Sequence, residues 1–571
     1  MDNSRKIHLC RVYAVVAVIC NILPFLLFGD ALSKLSVLGV ICTFELLIFL
    51  LINAKLHGTI LNFGTLFSVV LYIFHFGQLV LFSFFKALYG HIRILLLLEA
   101  EDALYGFQCM HIAFSAICLG MVFSVIRRKE DRPYIQKELA EVKADAKKIL
   151  SLFAKFLPER YRNKARTLCQ NLILLAMAAR NIIRRSKVYR GIRAGISIAW
   201  RNCKALFRII KNAISASKWR QNFLAQVEGQ QKNFKKVVFG ILLCTFPFKL
   251  FIDVACLYVF VTQGGLAARE WVNTFPNVLL FIGKVSLVGF AILLLLYKNN
   301  FKKQTILFLF LEAYILMAMV SGIRSENVGY MCVFALLYFA SAKIKIKFRH
   351  VLLIGVTGIC LLAVIVTVGQ QRIAEDKSLA AYWNVFWGYL TRQNVIFHLL
   401  DTLGDTGYTA QCVLSKWLPE FGPTGGDSYI LGSTAIIPNL PPFFTWPGRM
   451  TEASCFPMRM QAAGTLSANY QNIGGSLLGE LFFNFGVVGA ILLALPFGIW
   501  IGSVSHKCTN YIKSNHYYGM IWIVPVMFAV LYWVRHYFGG QIREMVWGPV
   551  ICLVVMKLMH WLLPPRKRRE S

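Results

Sequence analysis

The sequence predicts an all-α, polytopic membrane protein, and three observations carry that prediction. The chain has 571 residues, of which 57% are hydrophobic and only 15% are charged. Apolar stretches long enough for a helix to cross a bilayer, about 18 residues or more, recur along it. Alternate connections between these stretches are rich in Lys and Arg, as in KNNFKK and KIKIKFRH. Together these observations predict a bundle of about 12 transmembrane helices.

The predicted spans are separated by short polar or basic connections, apart from two long insertions. They are Leu9–Phe28, Leu35–Ile52, Asn62–Phe84, Ala103–Ile126, Val237–Val261, Pro276–Tyr297, Gln304–Val320, Asn327–Ala342, His350–Val368, Ser476–Gly502, Tyr517–Val534 and Met545–Leu563. The first apolar run lacks a small-residue cleavage site and is interpreted as a retained span rather than a signal peptide.

The predicted orientation follows from the basic connections. By the positive-inside rule, segments rich in Lys and Arg are cytoplasmic. The N-terminus, with Arg5, Lys6 and Arg11, and the tail PPRKRRES both fall in this class. Both termini are therefore predicted inside, which fits an even number of spans. The division is spans 1–4 in 1–126, spans 5–9 in 237–369, and spans 10–12 with the basic tail in 476–571.

The longest predicted outer connection is residues 370–475. It contains Trp, Pro and Gly in stretches such as WLPEFGPTGGDSY and IIPNLPPFFTWPG. A connection of this length inside a compact protein is usually functional. We interpret it as a large, folded extracytoplasmic loop.

A second insertion, residues 127–236, is predicted to be cytoplasmic. Lys and Arg outnumber Asp and Glu about fourfold in it, so most of the chain's net charge of +34 is local. Segments such as GISIAWRNCKALFRIIKNAI combine apolar residues at helical spacing with basic residues. This pattern is typical of helices on an anionic membrane surface, which we favour over nucleic-acid binding because both ends are tethered to spans.

Several classes of enzyme are disfavoured by missing motifs. The sequence has no GxxxxGK[ST], HExxH or GxSxG motif and no GxGxxG after a strand. No cofactor and no metal site is predicted, because the 15 cysteines show no paired CxxC spacing. Most cysteines are interpreted as apolar packing residues. A bridge between Cys412 and Cys455 in the outer loop is left open.

The strongest candidate site is a polar stripe at the start of an apolar span, GGSLLGELFFNFGVVG. Ser476, Glu480 and Asn484 are four residues apart, so they share one face of a helix. Polar side chains within a span are costly and are by default interpreted as functional. Glycines among them allow close approach of neighbouring helices.

Cationic groups are predicted at the same membrane face. A guanidinium binds phosphate oxygens in a bidentate manner, which suits a diphosphate headgroup. Arginines at span ends also commonly anchor to lipid headgroups, so this alternative stays open. The candidates at span ends are Arg324, Arg372, Arg535 and His536, and Arg449 and Arg459 lie in the outer loop.

Further charges lie within the predicted spans. Lys249 and Asp253 are four residues apart and are predicted to pair on one helix face. Glu45, Lys284 and Glu312 are also intramembrane. Charges along a central cavity are what a flippase would need, so Lys249, Asp253, Lys284 and Glu312 support that alternative function.

Three elements of the sequence, in this order, resemble a known family. SGIRSENVGY resembles the Gly-x-Arg turn of the O-antigen polymerase (Wzy-type) family, and VTVGQQR resembles its Arg-terminated span before a long outer loop. GGSLLGELFFNFGVVG resembles its late-span motif. The similarity covers roughly 304–502, whereas the basic insertion departs from the family's usual compact pattern.

The resemblance implies a lipid-dependent glycosyltransferase of the bacterial cytoplasmic membrane. Such an enzyme transfers a growing glycan from polyprenyl diphosphate to the sugar of another lipid-linked repeat unit. Arg324 and Arg372 would neutralise the charge on the diphosphate, while Glu480 would accept a proton or orient an arginine. Asn484, Ser476, Arg535, His536, Arg449 and Arg459 would contact substrate.

The implied partners are polyprenyl-diphosphate-linked oligosaccharide, anionic membrane lipid at the basic insertion, and flippase and chain-length regulator proteins, without nucleic acid. An O-antigen ligase-like transferase would use the same donor with another acceptor. A polysaccharide or lipid flippase and a scaffold protein are the remaining alternatives.

Overall fold

The structure, a computed structural model, is predominantly helical in the residues that it describes. These are residues 3–26, 29–85, 98–126, 234–263, 265–275, 277–320, 324–342, 379–391, 395–437, 452–466 and 474–562, with three more between 363 and 367. None of these residues lies in a β-strand. The prediction of an all-α protein is confirmed.

Seventeen α-helices are numbered in chain order for the described residues. They are α1 (Asn3–Leu26), α2 (Ala31–His57), α3 (Phe63–Phe85), α4 (Ala100–Phe123), α5 (Phe234–Gln263), α6 (Gly265–Asn273), α7 (Asn277–Leu296), α8 (Phe301–Val320), α9 (Arg324–Ser341), α10 (Leu379–Thr391), α11 (Val395–Cys412), α12 (Leu418–Phe421), α13 (Asp427–Thr434), α14 (Phe456–Ala462), α15 (Leu477–Ser514), α16 (Tyr517–Trp533) and α17 (Phe538–Leu562).

Within the described residues, eight helices are long and apolar enough to cross a membrane. They are α1–α5, α7, α15 and α17, and α16 is a shorter apolar helix. Helices α8 and α9 occupy two further predicted spans. The predicted span His350–Val368 and nearly all of the insertion 127–236 lie outside the described residues. The polytopic membrane architecture is confirmed, and the total of 12 spans stays a prediction.

A buried carboxylate holds the N-terminal helices together. Glu45 on α2 is fully buried and accepts hydrogen bonds from Tyr13 Oη (2.9 Å) and Ser115 Oγ (2.9 Å). His111 Nε2 lies 2.7 Å from Oε2 of Glu45, the oxygen that also accepts from Ser115. Burial of a charge is tolerated when partners replace the lost water, and these three do so. The predicted intramembrane Glu45 therefore has a structural explanation.

Small residues let α4 and α15 approach very closely. A Cβ added to Gly120 would lie 2.2 Å from the carbonyl oxygen of Leu495, and one added to Gly498 would lie 2.0 Å from that of Ile117. Backbones at this separation gain van der Waals contact that larger residues would prevent. The contact fixes α15, the helix of the polar stripe, against the N-terminal bundle.

Most intramembrane charges of the helices after the insertion are paired; the exception is Glu312 on α8, whose buried Oε1 has no hydrogen-bond partner among the described residues. The predicted Lys249–Asp253 pair is confirmed at 2.6 Å, and Tyr314 donates a hydrogen bond to Asp253. These contacts stay within α5 and its neighbour α8.

A second charged cluster joins three helices. Lys284 on α7 forms ion pairs with Glu326 on α9 and, at 2.6 Å, with Glu544 on α17. Tyr330 donates a hydrogen bond to Glu326. The cluster ties α9, which begins at the candidate Arg324, to α7 and α17.

Helix α15 is broken near its start. Gly486 has φ 64°, a left-handed conformation that glycine adopts without a Cβ clash, so the helical hydrogen bonding is interrupted there. The freed carbonyls of Phe483 and Asn484 accept hydrogen bonds from the backbone N–H groups of Thr424 (3.1 Å) and Gly425 (2.8 Å). The segment 477–485 is thereby joined to the loop 370–475.

The α4–α15 contact predicts the effect of overpacking. Gly498→Leu places side-chain atoms where the Ile117 carbonyl lies and should destabilise the protein by about 1–3 kcal/mol or more. Thermal unfolding in detergent measures the change. Val488→Leu on the same helix is the control, because Val488 is 72% exposed. Equal unfolding temperatures for both variants would contradict the packing shown.

Candidate functional site

The polar stripe begins at the N-cap of α15. The hydroxyl oxygen of Ser476 accepts a hydrogen bond from the Gly479 N–H (2.9 Å), which satisfies a free donor of the first turn. The same hydroxyl lies 2.8 Å from Nε2 of His75 on α3. Since His75 Nδ1 must donate to the Leu71 carbonyl (2.9 Å), Nε2 is the acceptor and Ser476 the donor. Both side chains are fully buried.

Glu480 lies one turn further on and is only 1% exposed. Its Oε1 accepts a hydrogen bond from Ser428 Oγ (2.8 Å) on α13. Its Oε2 accepts two more, from Trp533 Nε1 (2.8 Å) and the Phe538 N–H (2.8 Å). Three donors from three different segments therefore compensate a buried carboxylate.

Asn484 completes the stripe and forms hydrogen bonds with Ser428, the residue that also donates to Glu480. Its Oδ1 accepts from the Ser428 N–H (3.1 Å), and its Nδ2 donates to Ser428 Oγ (2.7 Å) and to the Glu480 carbonyl (2.7 Å). Ser428 and Asn484 are both buried. The start of α13 is consequently clamped to α15.

Aromatic rings cover this polar cluster. Tyr429 stacks on Phe485 at 5.7 Å between centroids and packs edge-on against Phe538 (5.2 Å) and Trp533 (6.1 Å). Burial, together with the nearby Glu480 carboxylate, raises the pKa of Tyr429 well above its usual range. The Tyr429 phenol therefore stays protonated.

The turn between α16 and α17 carries Arg535 and His536. Glycines pack against it, since a Cβ on Gly474 or Gly475 would lie 2.4 Å from the carbonyl oxygen of Arg535 or His536, respectively. The Leu477 N–H also donates to the Val534 carbonyl (3.3 Å). The His536 ring stacks on Tyr532, with centroids 4.6 Å apart. Both predicted residues thus lie beside the first turn of α15.

Arg535 has free hydrogen-bonding capacity. Its guanidinium makes no hydrogen bond and no ion pair with another residue in the described part of the chain, and it lines a cavity of about 30 Å³ together with Phe74, Cys332 and Tyr532. Burial lowers the pKa of Arg535, and the Asp405 carboxylate opposes that shift. Because an arginine stays charged in proteins, a partly buried cation faces this cavity.

Arg459 lies on the far side of α13. Its Nη1 is 2.6 Å from Asp427 Oδ2, and its guanidinium lies 5.3 Å from the Phe483 ring centroid. It thus binds the residue next to Ser428 and packs on the helix that carries Glu480. Its contacts connect α14, α13 and α15.

The other predicted residues are not brought into this cluster by what the structure describes. Arg324 begins α9, but its side chain lies outside the described residues, as do Arg372 and Arg449 entirely. The side chains of Cys412 and Cys455 are buried, and no disulfide joins them. Among the described residues, no three His, Cys, Asp or Glu side chains are grouped as metal ligands.

Two contributors to the site, His75 and Ser428, are not evident from the sequence alone. His75 is polar within an apolar span, which is a signal, but its partner Ser476 is 401 positions away. Ser428 lies in the loop segment GGDSY, and nothing local distinguishes it from other loop serines. Both contacts depend on tertiary packing.

These features define a polytopic helical membrane protein with a buried polar cluster and, at one end of its bundle, an arginine that forms no hydrogen bond or ion pair with another described residue. A comparison with protein families matches residues 207–563, more than half of the chain, to the family described as O-antigen polysaccharide polymerase Wzy. The chain belongs to this family. It is therefore an enzyme of polysaccharide polymerisation in a membrane. No match was found among curated proteins or solved structures.

The Glu480 geometry predicts a cost for removing its charge. Glu480→Gln replaces one acceptor oxygen by an amide donor, which faces Ser428 or the donors Trp533 and Phe538. The free energy of unfolding should fall by about 1–3 kcal/mol.

Thermal unfolding and limited proteolysis of the loop 370–475 should both report this change. Glu270→Gln is the control, because Glu270 is exposed on α6. A Glu480→Gln protein that unfolds and is cleaved like the control contradicts the three-donor arrangement.

Proposed function

We propose that this chain polymerises polyprenyl-diphosphate-linked oligosaccharide repeat units at the outer face of the bacterial cytoplasmic membrane. Family membership supports polymerase chemistry. The observation that supports a diphosphate donor is Arg535, a partly buried guanidinium that has no hydrogen bond or ion pair with another described residue. Phosphate oxygens are suitable partners for such a group.

The proposed step transfers a glycan without a nucleotide. A hydroxyl oxygen of the acceptor sugar attacks the anomeric carbon of the donor glycan, and the bond from that carbon to the diphosphate oxygen breaks. Polyprenyl diphosphate leaves with the electron pair of that bond. The acceptor hydroxyl proton passes to a base on the protein. Negative charge develops on the leaving oxygen, where a positioned guanidinium lowers the barrier.

Arg535 is assigned to the diphosphate, with Arg324 and Arg372 as the further predicted arginines of the same site. Arg449 remains a predicted substrate contact of the loop. Arg459 supports α13 through Asp427 and lies beside the site rather than at the cavity.

Glu480 is assigned a positioning role, one of the two roles that the sequence suggested. All three of its hydrogen bonds go to the protein, and its carboxylate is buried beneath aromatic rings. His536 is the titratable group next to Arg535 and is only half-buried, so we assign proton acceptance to it. Ser476 and Asn484 hold α15 and α13 in place.

The main alternatives are a transferase with another acceptor and a flippase that transports the lipid-linked glycan. A ligase-like transferase would use the same arginine and donor with a different acceptor. A flippase would need charges available to a passing headgroup. Of the charges that support a flippase, Lys249, Asp253 and Lys284 are paired within the protein and Glu312 is not, so most of them are not available, which favours the transferase.

Anionic lipid at the basic insertion 127–236 is part of the same proposal. The insertion's charge suits the anionic cytoplasmic leaflet. Flippase and chain-length regulator proteins are the proposed protein partners. Both chain termini are placed in the cytoplasm.

The direct test is elongation by purified protein in detergent. Wild-type protein given lipid-linked repeat units should produce a ladder of longer glycans on lipid. Arg535→Lys keeps the charge but loses the planar fork, so kcat/KM should fall by about 10- to 100-fold, the cost of one charge-assisted hydrogen bond. Arg11→Lys on α1 is the control. No ladder from the wild type would refute the polymerase, and full activity of Arg535→Lys would refute the diphosphate assignment.

Topology is tested by cysteine labelling from outside intact cells. In a variant lacking other reactive thiols, Glu420→Cys should react with a membrane-impermeant maleimide, because Glu420 is exposed in the loop predicted outside. Ser514→Cys at the other end of α15 should react only after permeabilisation. The reverse pattern would place the site in the cytoplasm.

A further inference from the structure

Helix α10 lies in the loop 370–475, and its exposed side is aromatic. Its sequence, LAAYWNVFWGYLT, contains no charged residue. Trp383 and Trp387 are one helical turn apart, are 60% and 52% exposed, and have stacked rings with centroids 6.0 Å apart. The Thr391 hydroxyl donates a hydrogen bond to the Trp387 carbonyl (2.7 Å), so this polar group is satisfied within the helix. An uncharged helix that exposes two large aromatic rings is expected to contact an apolar partner.

The other side of α10 packs against the protein. Tyr382 contacts a buried cluster formed by the end of α5 and by α6, and its ring lies 6.5 Å from that of Phe260 on α5. Tyr389, two turns further on, is 7% exposed, and its ring lies 5.1 Å from that of His398 on α11. These contacts fix α10 relative to α5 and α11.

The contacts with α5 give the level of α10 along that helix. The α5 residues of the cluster are Cys256, Val259 and Phe260, which lie three to seven positions before Gln263, the last residue of α5. At 1.5 Å per residue they are about 5–10 Å from this end of the helix. The other end, Phe234, adjoins the basic insertion, so α10 lies at the end of α5 that is remote from the insertion. Helices in the interface are buried to a similar depth, about 5–10 Å into the boundary of headgroups and acyl chains.

The exposed face of α5 shows that lipid reaches this level. α5 is long and apolar enough to cross a membrane. A stripe of exposed apolar residues runs along it and comprises Leu243, Phe251, Val254, Tyr258 and Val261. Such a stripe on a spanning helix contacts lipid. Tyr258 and Val261, which are 69% and 66% exposed, lie at the level of the cluster, so the lipid-facing surface of α5 continues to the place where α10 packs.

We infer that α10 lies in the interface of the outer leaflet, with Trp383 and Trp387 at the level of the lipid headgroups. Its 13 residues form a helix of about 20 Å, which is too short to cross a hydrocarbon core of about 30 Å. Tryptophan is enriched at membrane interfaces, because its ring is apolar and its N–H group reaches polar partners. The inference does not depend on polymerase chemistry, although the choice of leaflet uses the topology proposed above.

The interfacial helix is connected to the candidate site through α11. The contact of Tyr389 with His398 joins α10 to the start of α11. Further along α11, Asp405 accepts a hydrogen bond from Gln78 (2.9 Å) and acts electrostatically on Arg535. Contact of α10 with lipid therefore ties the helix that carries Asp405 to the membrane surface.

Fluorescence quenching of the full chain tests this position. The signal of the two rings is the difference between the wild type and Trp383→Phe/Trp387→Phe, each in phosphatidylcholine nanodiscs that hold a single copy. Phosphatidylcholine brominated near its headgroup should reduce this difference signal roughly twofold or more, because the rings lie at that depth. Lipid brominated near the ends of its chains and aqueous iodide should each reduce it less. If the double variant does not fold, Trp387→Phe alone supplies the signal.

Trp417→Phe is the matched control. Trp417 lies in the same loop but is only 6% exposed, and its ring packs on that of Phe483. The difference signal of this variant should respond to none of the three quenchers.

Three results would overturn the inference. Strongest quenching by iodide would place the two rings in water, and strongest quenching by bromine at the chain ends would place them in the hydrocarbon core. Protection from all three quenchers would mean that protein covers the rings. None of these measurements involves glycan elongation, so the interfacial position of α10 and the polymerase can be refuted separately.

Discussion

The arrangement of the site depends on one buried carboxylate. Glu480 accepts hydrogen bonds from residues 52, 53 and 58 positions away, so a loop helix, the end of α16 and the start of α17 all meet at it. Leaving a buried charge without donors costs several kcal/mol, which makes the three contacts mutually dependent. Because Trp533 and Phe538 flank the turn that carries Arg535, the carboxylate fixes both ends of that turn.

Backbone chemistry extends this dependence into the loop. The break at Gly486 frees two carbonyls of α15, and the N–H groups of Thr424 and Gly425 donate hydrogen bonds to them. Asn484 adds its side-chain bonds to Ser428, only three residues further along. Displacing the loop would leave these polar groups buried without partners. The loop and the first turns of α15 therefore form one unit, to which the ring contacts of Trp417 and Phe456 with Phe483 also belong.

Sequence reasoning succeeded where the signal is local. Apolar length identified the spans, and the spacing of Ser476, Glu480 and Asn484 correctly placed them on one face of α15. It could not find His75 or Ser428, because each contributes through a contact between distant segments. The sequence predicts that Gly486 allows close helix packing. A glycine that breaks a helix with a positive φ looks the same in a sequence, so the break could not be predicted. The convergence of the arginines was predicted from topology, and of these the structure places Arg535 beside the stripe and Arg459 behind α13.

The N-terminal helices lie outside the family match but contact the region that it covers. The match begins at residue 207, yet the N-cap of α15 depends on His75, and Gln78 donates to Asp405 (2.9 Å), the carboxylate that acts on Arg535. The unmatched N-terminal helices thus satisfy polar groups of the matched region. Charges such as Glu45 and Lys284 are saturated by protein partners and hold helices together. By this criterion we assign ligand binding to Arg535, whose guanidinium has hydrogen-bonding capacity left, and positioning to Glu480, whose hydrogen bonds all go to the protein.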